Sequence, residues 1–139
     1  MFFQDRSRAL REMWRVLRPG GRMAVAVWAS LDETPAYAAE VELVDRIAGP
    51  AAAEVLRYPF VLGDRALLEM AFTGADIALS SLTTHAGSGR FLSIRAMLDT
   101  DLSGWLPVVG VQLEREIVER ILTEAESVFQ LAPPERSLG

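Results

Sequence analysis

The sequence contains no cysteine, no lysine and a single histidine among its 139 residues. Without cysteine the chain has no disulfide, no thiolate ligand for zinc and no cysteine nucleophile. A lone histidine, His85, also excludes a multi-histidine metal site built within one chain. His85 could serve as a general base, but its Thr- and Ser-rich surroundings favour a surface position. We therefore expect no metal centre.

Long apolar runs and clusters of positive charge are also missing. The longest apolar run, residues 23–29, is far too short to cross a bilayer, and the first residues do not resemble a signal peptide. These two absences favour a cytoplasmic protein that needs no membrane. The net charge of −5, with arginines spread along the chain, argues against nucleic acid as a partner.

The first segment of the chain has the periodicity of an amphipathic helix. Apolar residues recur at i, i+3, i+4 and i+7 through residues 5–17, which predicts a helix with one buried face. Asp5 is a suitable N-cap, and Pro19 with the following glycines ends the helix. The expected buried stripe consists of Leu10, Met13, Trp14 and Leu17.

Two segments have the character of strands. Residues 23–28 are uniformly apolar, which is typical of a central strand covered on both faces. Residues 77–86 are more polar, which predicts a strand at the edge of a sheet or one covered on a single face. The remaining periodic segments predict helices, so the expected fold class is α/β. These helices cover residues 35–47, 51–56, 64–74, 91–98 and 112–129.

A longer motif connects the first helix to the first strand. The sequence reads FFQDR at residues 2–6 and RVLRPGGR at residues 15–22, followed by an apolar strand that ends in Trp28. This order resembles the region after the fourth strand of class I S-adenosylmethionine-dependent methyltransferases of the UbiE-like, type 11 group. The resemblance implies a partial Rossmann-like fold that lacks the N-terminal, cofactor-binding half. It further implies one truncated domain over residues 1–131, a helical lid insertion at 30–60 and a disordered tail at 132–139.

The parts of that family that hold the cofactor have no counterpart in this sequence. The glycine-rich loop, the acidic residue that holds the ribose and the fourth strand are all missing, and the glycines at 87 and 89 do not replace that loop. The resemblance implies S-adenosylmethionine for the complete form, but no cofactor and no activity for this chain alone. A truncated gene, a shortened expression product and a shortened paralogue remain open.

Aromatic residues are the candidates for contact with a methyl acceptor. By resemblance to the family, Phe2, Phe3, Trp28 and Tyr37 would surround an unknown small molecule, while the plainer alternative places them in the core. No catalytic residue and no cofactor-binding residue is assigned. The carboxylates Glu40 and Glu42 are expected on a solvated helix face rather than in a catalytic pair.

The strand at residues 23–28 also predicts self-association. In the family the sheet order is 3-2-1-4-5-7-6, and both neighbours of this strand are missing here. The strand can pair with its copy in a second molecule, or with the strand at residues 77–86, which still leaves one apolar edge open. In both cases an unpaired edge favours a partner, so we expect a homodimer. The alternative function is therefore a non-catalytic remnant that forms homo-oligomers or binds a small hydrophobic ligand.

Overall fold

The computed structural model describes residues 3–129, and this part of the chain is largely helical. Single 3₁₀ turns lie at Leu31–Glu33 and Tyr58–Phe60, and a π-helical turn lies at Thr100–Trp105. The α-helices are α1 (Arg6–Arg15), α2 (Pro35–Ala48), α3 (Pro50–Arg57), α4 (Arg65–Gly74), α5 (Ile94–Asp99), α6 (Leu106–Val108) and α7 (Arg115–Val128).

Short polar side chains begin several of these helices. The Asp5 carboxylate accepts a hydrogen bond from the backbone N–H of Arg8 at 2.8 Å, and the Asp64 carboxylate accepts one from Ala66 at 2.7 Å. Ser93 caps α5 in the same way. Each cap satisfies a backbone donor that the first turn of a helix leaves free, which fixes where the helix starts.

The predicted α/β, Rossmann-like fold is wrong, because residues 3–129 contain no β-strand. Residues 23–28 run without turn or bend, yet their backbone groups form no hydrogen bond with any other described residue. The second expected strand, residues 77–86, does not pair with them. A strand is stable only beside another strand, whereas a helix satisfies its own backbone locally. Apolar character alone therefore could not establish a sheet.

The described chain divides into two compact units, and the first contains residues 3–38 and 57–87. In this unit α1 packs against α4. The Ser7 hydroxyl donates to the carbonyl oxygen of Ala71 at 3.0 Å, and the Arg11 guanidinium donates to that of Gly74 at 2.7 Å. The buried core of the unit comprises Leu10, Leu62, Leu68, Ala71, Phe72, Ala75 and Ile77.

The segment after α1 lies along this core without being covered by it. Met23 and Val27 pack against the core, whereas Ala24, Ala26 and Trp28 are exposed. At its far end the backbone comes so close to Gly63 that a Cβ there would lie 2.1 Å from the nitrogen of Ser30. Only glycine allows this approach.

The second unit contains residues 39–56 and 88–129 of the described chain. Its regular secondary structure within these residues is helical. Ion pairs join helices on its surface: Arg46 pairs with Glu124, and Arg95 pairs with Glu119 at 2.5 Å. The interior is aliphatic. Its most deeply buried apolar side chains include Val44, Leu98, Leu102, Leu106, Ile121 and Leu122.

The predicted lid at residues 30–60 contributes to both units, and the predicted tail at 132–139 lies outside the described residues. The single-domain boundary stays a prediction. No helix within residues 3–129 has the length and apolar character needed to cross a bilayer.

Candidate functional site

The first unit contains a small apolar cavity between α1, α4 and the segment after α1. Its volume is about 90 Å³. Arg6 is the charged residue in its lining, and the Arg6 Nε is buried without a hydrogen-bond partner among the described residues. The lining consists of Phe3, Arg6, Ala9, Leu10, Met13, Val25, Ala26, Val27, Leu62, Leu68 and Ala71.

This cavity does not fit S-adenosylmethionine. Sites for cofactors and drug-sized ligands usually have volumes of about 300–1,000 Å³. The lining offers no carboxylate for a ribose hydroxyl and no glycine for close approach of the backbone. A second hollow of about 230 Å³, lined by residues of the turn from Trp14 to Gly21, also lacks a carboxylate.

Three of the four aromatic residues that the sequence marks as substrate-binding candidates lie within the described chain, and of these only Phe3 lines the apolar cavity. Phe3 lines the apolar cavity and is 56% exposed, and Trp28 is 58% exposed and does not line it. Tyr37 packs against Phe60 with ring centroids 5.2 Å apart. Phe2 lies outside the described residues. A substrate-binding role for these residues stays a prediction.

The second unit contains a buried carboxyl group, Glu40 on α2. Its side chain is 1% exposed, and one of its oxygens has no hydrogen-bond partner among the described residues. Burial, and to a smaller extent the negative charge of Asp101, raises the pKa of Glu40 from 4.5 to about 9. Burial also raises the pKa of Asp101, which lies in the π-helical turn. Glu40 is therefore a neutral acid at neutral pH.

The prediction that Glu40 lies with Glu42 on a solvated helix face is wrong for Glu40. Glu42 is indeed exposed, but Glu40 lies three and four residues from the buried Leu43 and Val44. Helical periodicity places residues at these spacings on one face. That spacing was visible in the sequence and could have identified the buried acid.

Metal ligands do not gather in either unit. No group of three or more His, Asp or Glu side chains within the described part of the chain has the arrangement to hold a metal ion. His85 is exposed, and its Nε2 lies 3.3 Å from the hydroxyl of Thr83. His85 therefore lies on the surface and lines neither of the hollows described above.

Comparison with known proteins adds one finding. A family model described as a methyltransferase domain matches residues 1–25, which include α1 and the Pro-Gly-Gly turn after it. No curated protein and no solved structure matches the chain significantly. The family match supports a methyltransferase-family protein, and that family generally uses S-adenosylmethionine.

Proposed function

We propose that this chain is the C-terminal part of a UbiE-like, type 11 methyltransferase whose complete form transfers a methyl group from S-adenosylmethionine to a small molecule. The observation that carries the proposal is the family match at residues 1–25. Within that stretch the structure has the helix and the glycine turn that the motif predicts. Asp5 caps α1, and Gly20 adopts a φ of +76° after Pro19.

The proposal assigns no methyl transfer to this chain alone. The apolar cavity is too small for the cofactor and contains no acidic group, and the buried Glu40 belongs to the other unit. The residues that hold the cofactor would have to come from a polypeptide other than residues 3–129.

Calorimetric titration of the purified chain with S-adenosylmethionine tests this assignment. We expect no saturable heat up to millimolar ligand, because neither hollow described above offers a carboxylate for the ribose hydroxyls. A helical far-ultraviolet dichroism spectrum recorded on the same sample shows that the chain is folded. Saturable binding in the micromolar range would contradict the assignment of the chain as a part without its own cofactor site.

A second candidate function is a non-catalytic module that binds a small hydrophobic ligand. The apolar lining of the cavity favours it, since cavities of this kind take up compounds such as benzene. The same titration series can include benzene, with Ala9→Leu as the variant that fills the cavity and Ala36→Leu as a surface control. Binding that Ala9→Leu removes and Ala36→Leu keeps would support this function, and equal effects of both variants would exclude it.

A further inference from the structure

An uncharged stretch of backbone in the first unit has no hydrogen-bond partner. Residues 23–31 carry no charge, and residues 22–29 form no backbone hydrogen bond within the described chain. The segment contains no turn, bend or helix up to residue 30. A row of free N–H and C=O groups on an apolar segment is a template for pairing with another extended chain.

The side chains of this segment are only partly held by the core. Met23 and Val27 pack on the core of the unit, whereas Ala24, Val25, Ala26 and Trp28 are exposed, Val25 to 39%. One side of the segment is therefore already held in place. The exposed side and the free backbone are what a partner would cover.

Charges of opposite sign flank the uncharged stretch. Arg22 precedes it, and Asp32 and Glu33 follow it in the first 3₁₀ turn. All three are exposed, and none forms an ion pair with a residue that the structure describes. The stretch thus has a positive end and a negative end, both unneutralised.

We propose that residues 24–30 pair in antiparallel orientation with the same residues of a second copy of this chain, giving a two-fold symmetric dimer. An antiparallel pair places Arg22 of each copy near Asp32 and Glu33 of the other copy, whereas a parallel pair places like charges side by side. A second copy is therefore a partner whose charges complement this surface at both ends.

Side-chain size agrees with the same arrangement. When the pair is centred on Val27, Trp28 of each copy lies opposite Ala26 of the other, and Val25 lies opposite Ala29. Each large side chain then meets a small one, which leaves room for the indole ring. The protomers remain helical, and the paired segments form only a short ladder between them.

Light scattering after size-exclusion chromatography, over a series of protein concentrations, measures the dimer. Two short segments bury less than the about 800 Å² per partner of a standard interface, so we expect dissociation in the micromolar range. A mass that stays at the 15.3 kDa of the monomer at tens of micromolar would overturn the proposal.

Proline substitution tests whether the backbone of this segment is the interface. The proposed ladder has its hydrogen bonds at the Ala26–Trp28 pairs, so Ala26→Pro removes a donor that faces the partner and that the protomer does not use. It should weaken the dimer at least about tenfold because each copy then leaves a group unpaired. Ala78→Pro is the matched control, since Ala78 is also an exposed alanine whose N–H makes no backbone hydrogen bond. Equal dimer strength in Ala26→Pro and the unmodified chain would overturn the proposal.

Charge reversal tests whether the two segments pair in antiparallel orientation. It does not depend on whether the fold tolerates a proline in this segment. Arg22→Glu should weaken the dimer, because it places three negative side chains at each end. Combining Arg22→Glu with Asp32→Arg and Glu33→Arg should restore it. Failure of the combined variant to recover the dimer, with an unchanged helical spectrum, would exclude antiparallel self-pairing.

Discussion

Glu40 is an ionisable residue in a buried position, where a charge is unfavourable. A carboxyl group that is 1% exposed and partly without hydrogen bonds avoids charge by keeping its proton, and its pKa accordingly rises to about 9. In the unfolded chain the same group ionises near its ordinary value of 4.5. The folded and unfolded states therefore bind different numbers of protons between these two pH values.

This difference predicts a pH dependence of stability. Below pH 4.5 both states keep the proton, so Glu40 contributes no dependence there. From pH 4.5 to about 9 the folded state holds one proton more, and the free energy of unfolding falls by about 1.4 kcal/mol per pH unit. Above that range both states are ionised and the loss is complete. Urea denaturation at successive pH values measures this slope.

Glu40→Gln isolates the contribution of this one group. An amide of the same shape carries no titrating proton, so the slope assigned to Glu40 should disappear and the variant should be the more stable form at pH 8. Glu42→Gln, at an exposed position of the same helix, should change stability by no more than about 0.5 kcal/mol. An unchanged slope in Glu40→Gln would show that Glu40 is ionised in the folded protein.

At the scale of elements, α1 shows how a correct helix prediction can contain a wrong face. The helix, its cap at Asp5 and its end before Pro19 are confirmed. Of the expected buried stripe, Leu10 is buried at 7% exposure, whereas Met13 is exposed and Trp14 is 48% exposed. The helix contacts α4 through Leu10 and through hydrogen bonds from Ser7 and Arg11. Its buried face is therefore narrower than the apolar stripe.

Two substitutions on α1 should show which of its apolar side chains contribute to stability. Leu10→Ala removes a core side chain and should cost roughly 2–5 kcal/mol of unfolding free energy. Trp14→Ala truncates a half-exposed ring and should cost about 1 kcal/mol or less, despite the larger side chain. Chemical denaturation of both variants provides the comparison. A greater loss in Trp14→Ala than in Leu10→Ala would mean that the stripe is buried as its periodicity suggests.

The other helices were largely predictable from local pattern. Residues 35–47, 51–56, 64–74 and 112–129 correspond to α2, α3, α4 and α7 within a few residues. The segment at 104–110 was expected to be a loop, yet it contains the end of the π-helical turn and all of α6. Buried Leu102 and Leu106 hold this stretch in place, and such packing is not encoded in its local turn residues.

At the scale of the whole molecule, all the regular secondary structure of the described residues is helical, and circular dichroism can test this. We expect the far-ultraviolet circular dichroism of the dilute protein to be dominated by helix, since residues 3–129 contain no strand. Dilution keeps any paired segments between copies to a minimum. A spectrum with a major sheet component in monomeric protein would restore the α/β assignment that the structure contradicts.

The sequence by itself determined most of the helices, the cap at Asp5, the Pro-Gly-Gly turn and the methyltransferase likeness of residues 1–25, because these depend on residues near one another in the chain. Only the tertiary structure decided that residues 23–28 stay unpaired, that Trp14 is half exposed, and that Glu40 is buried. A strand needs a neighbour, and burial needs an opposing surface; both come from distant parts of the chain. Local pattern therefore predicts helices well, but it cannot say what covers them.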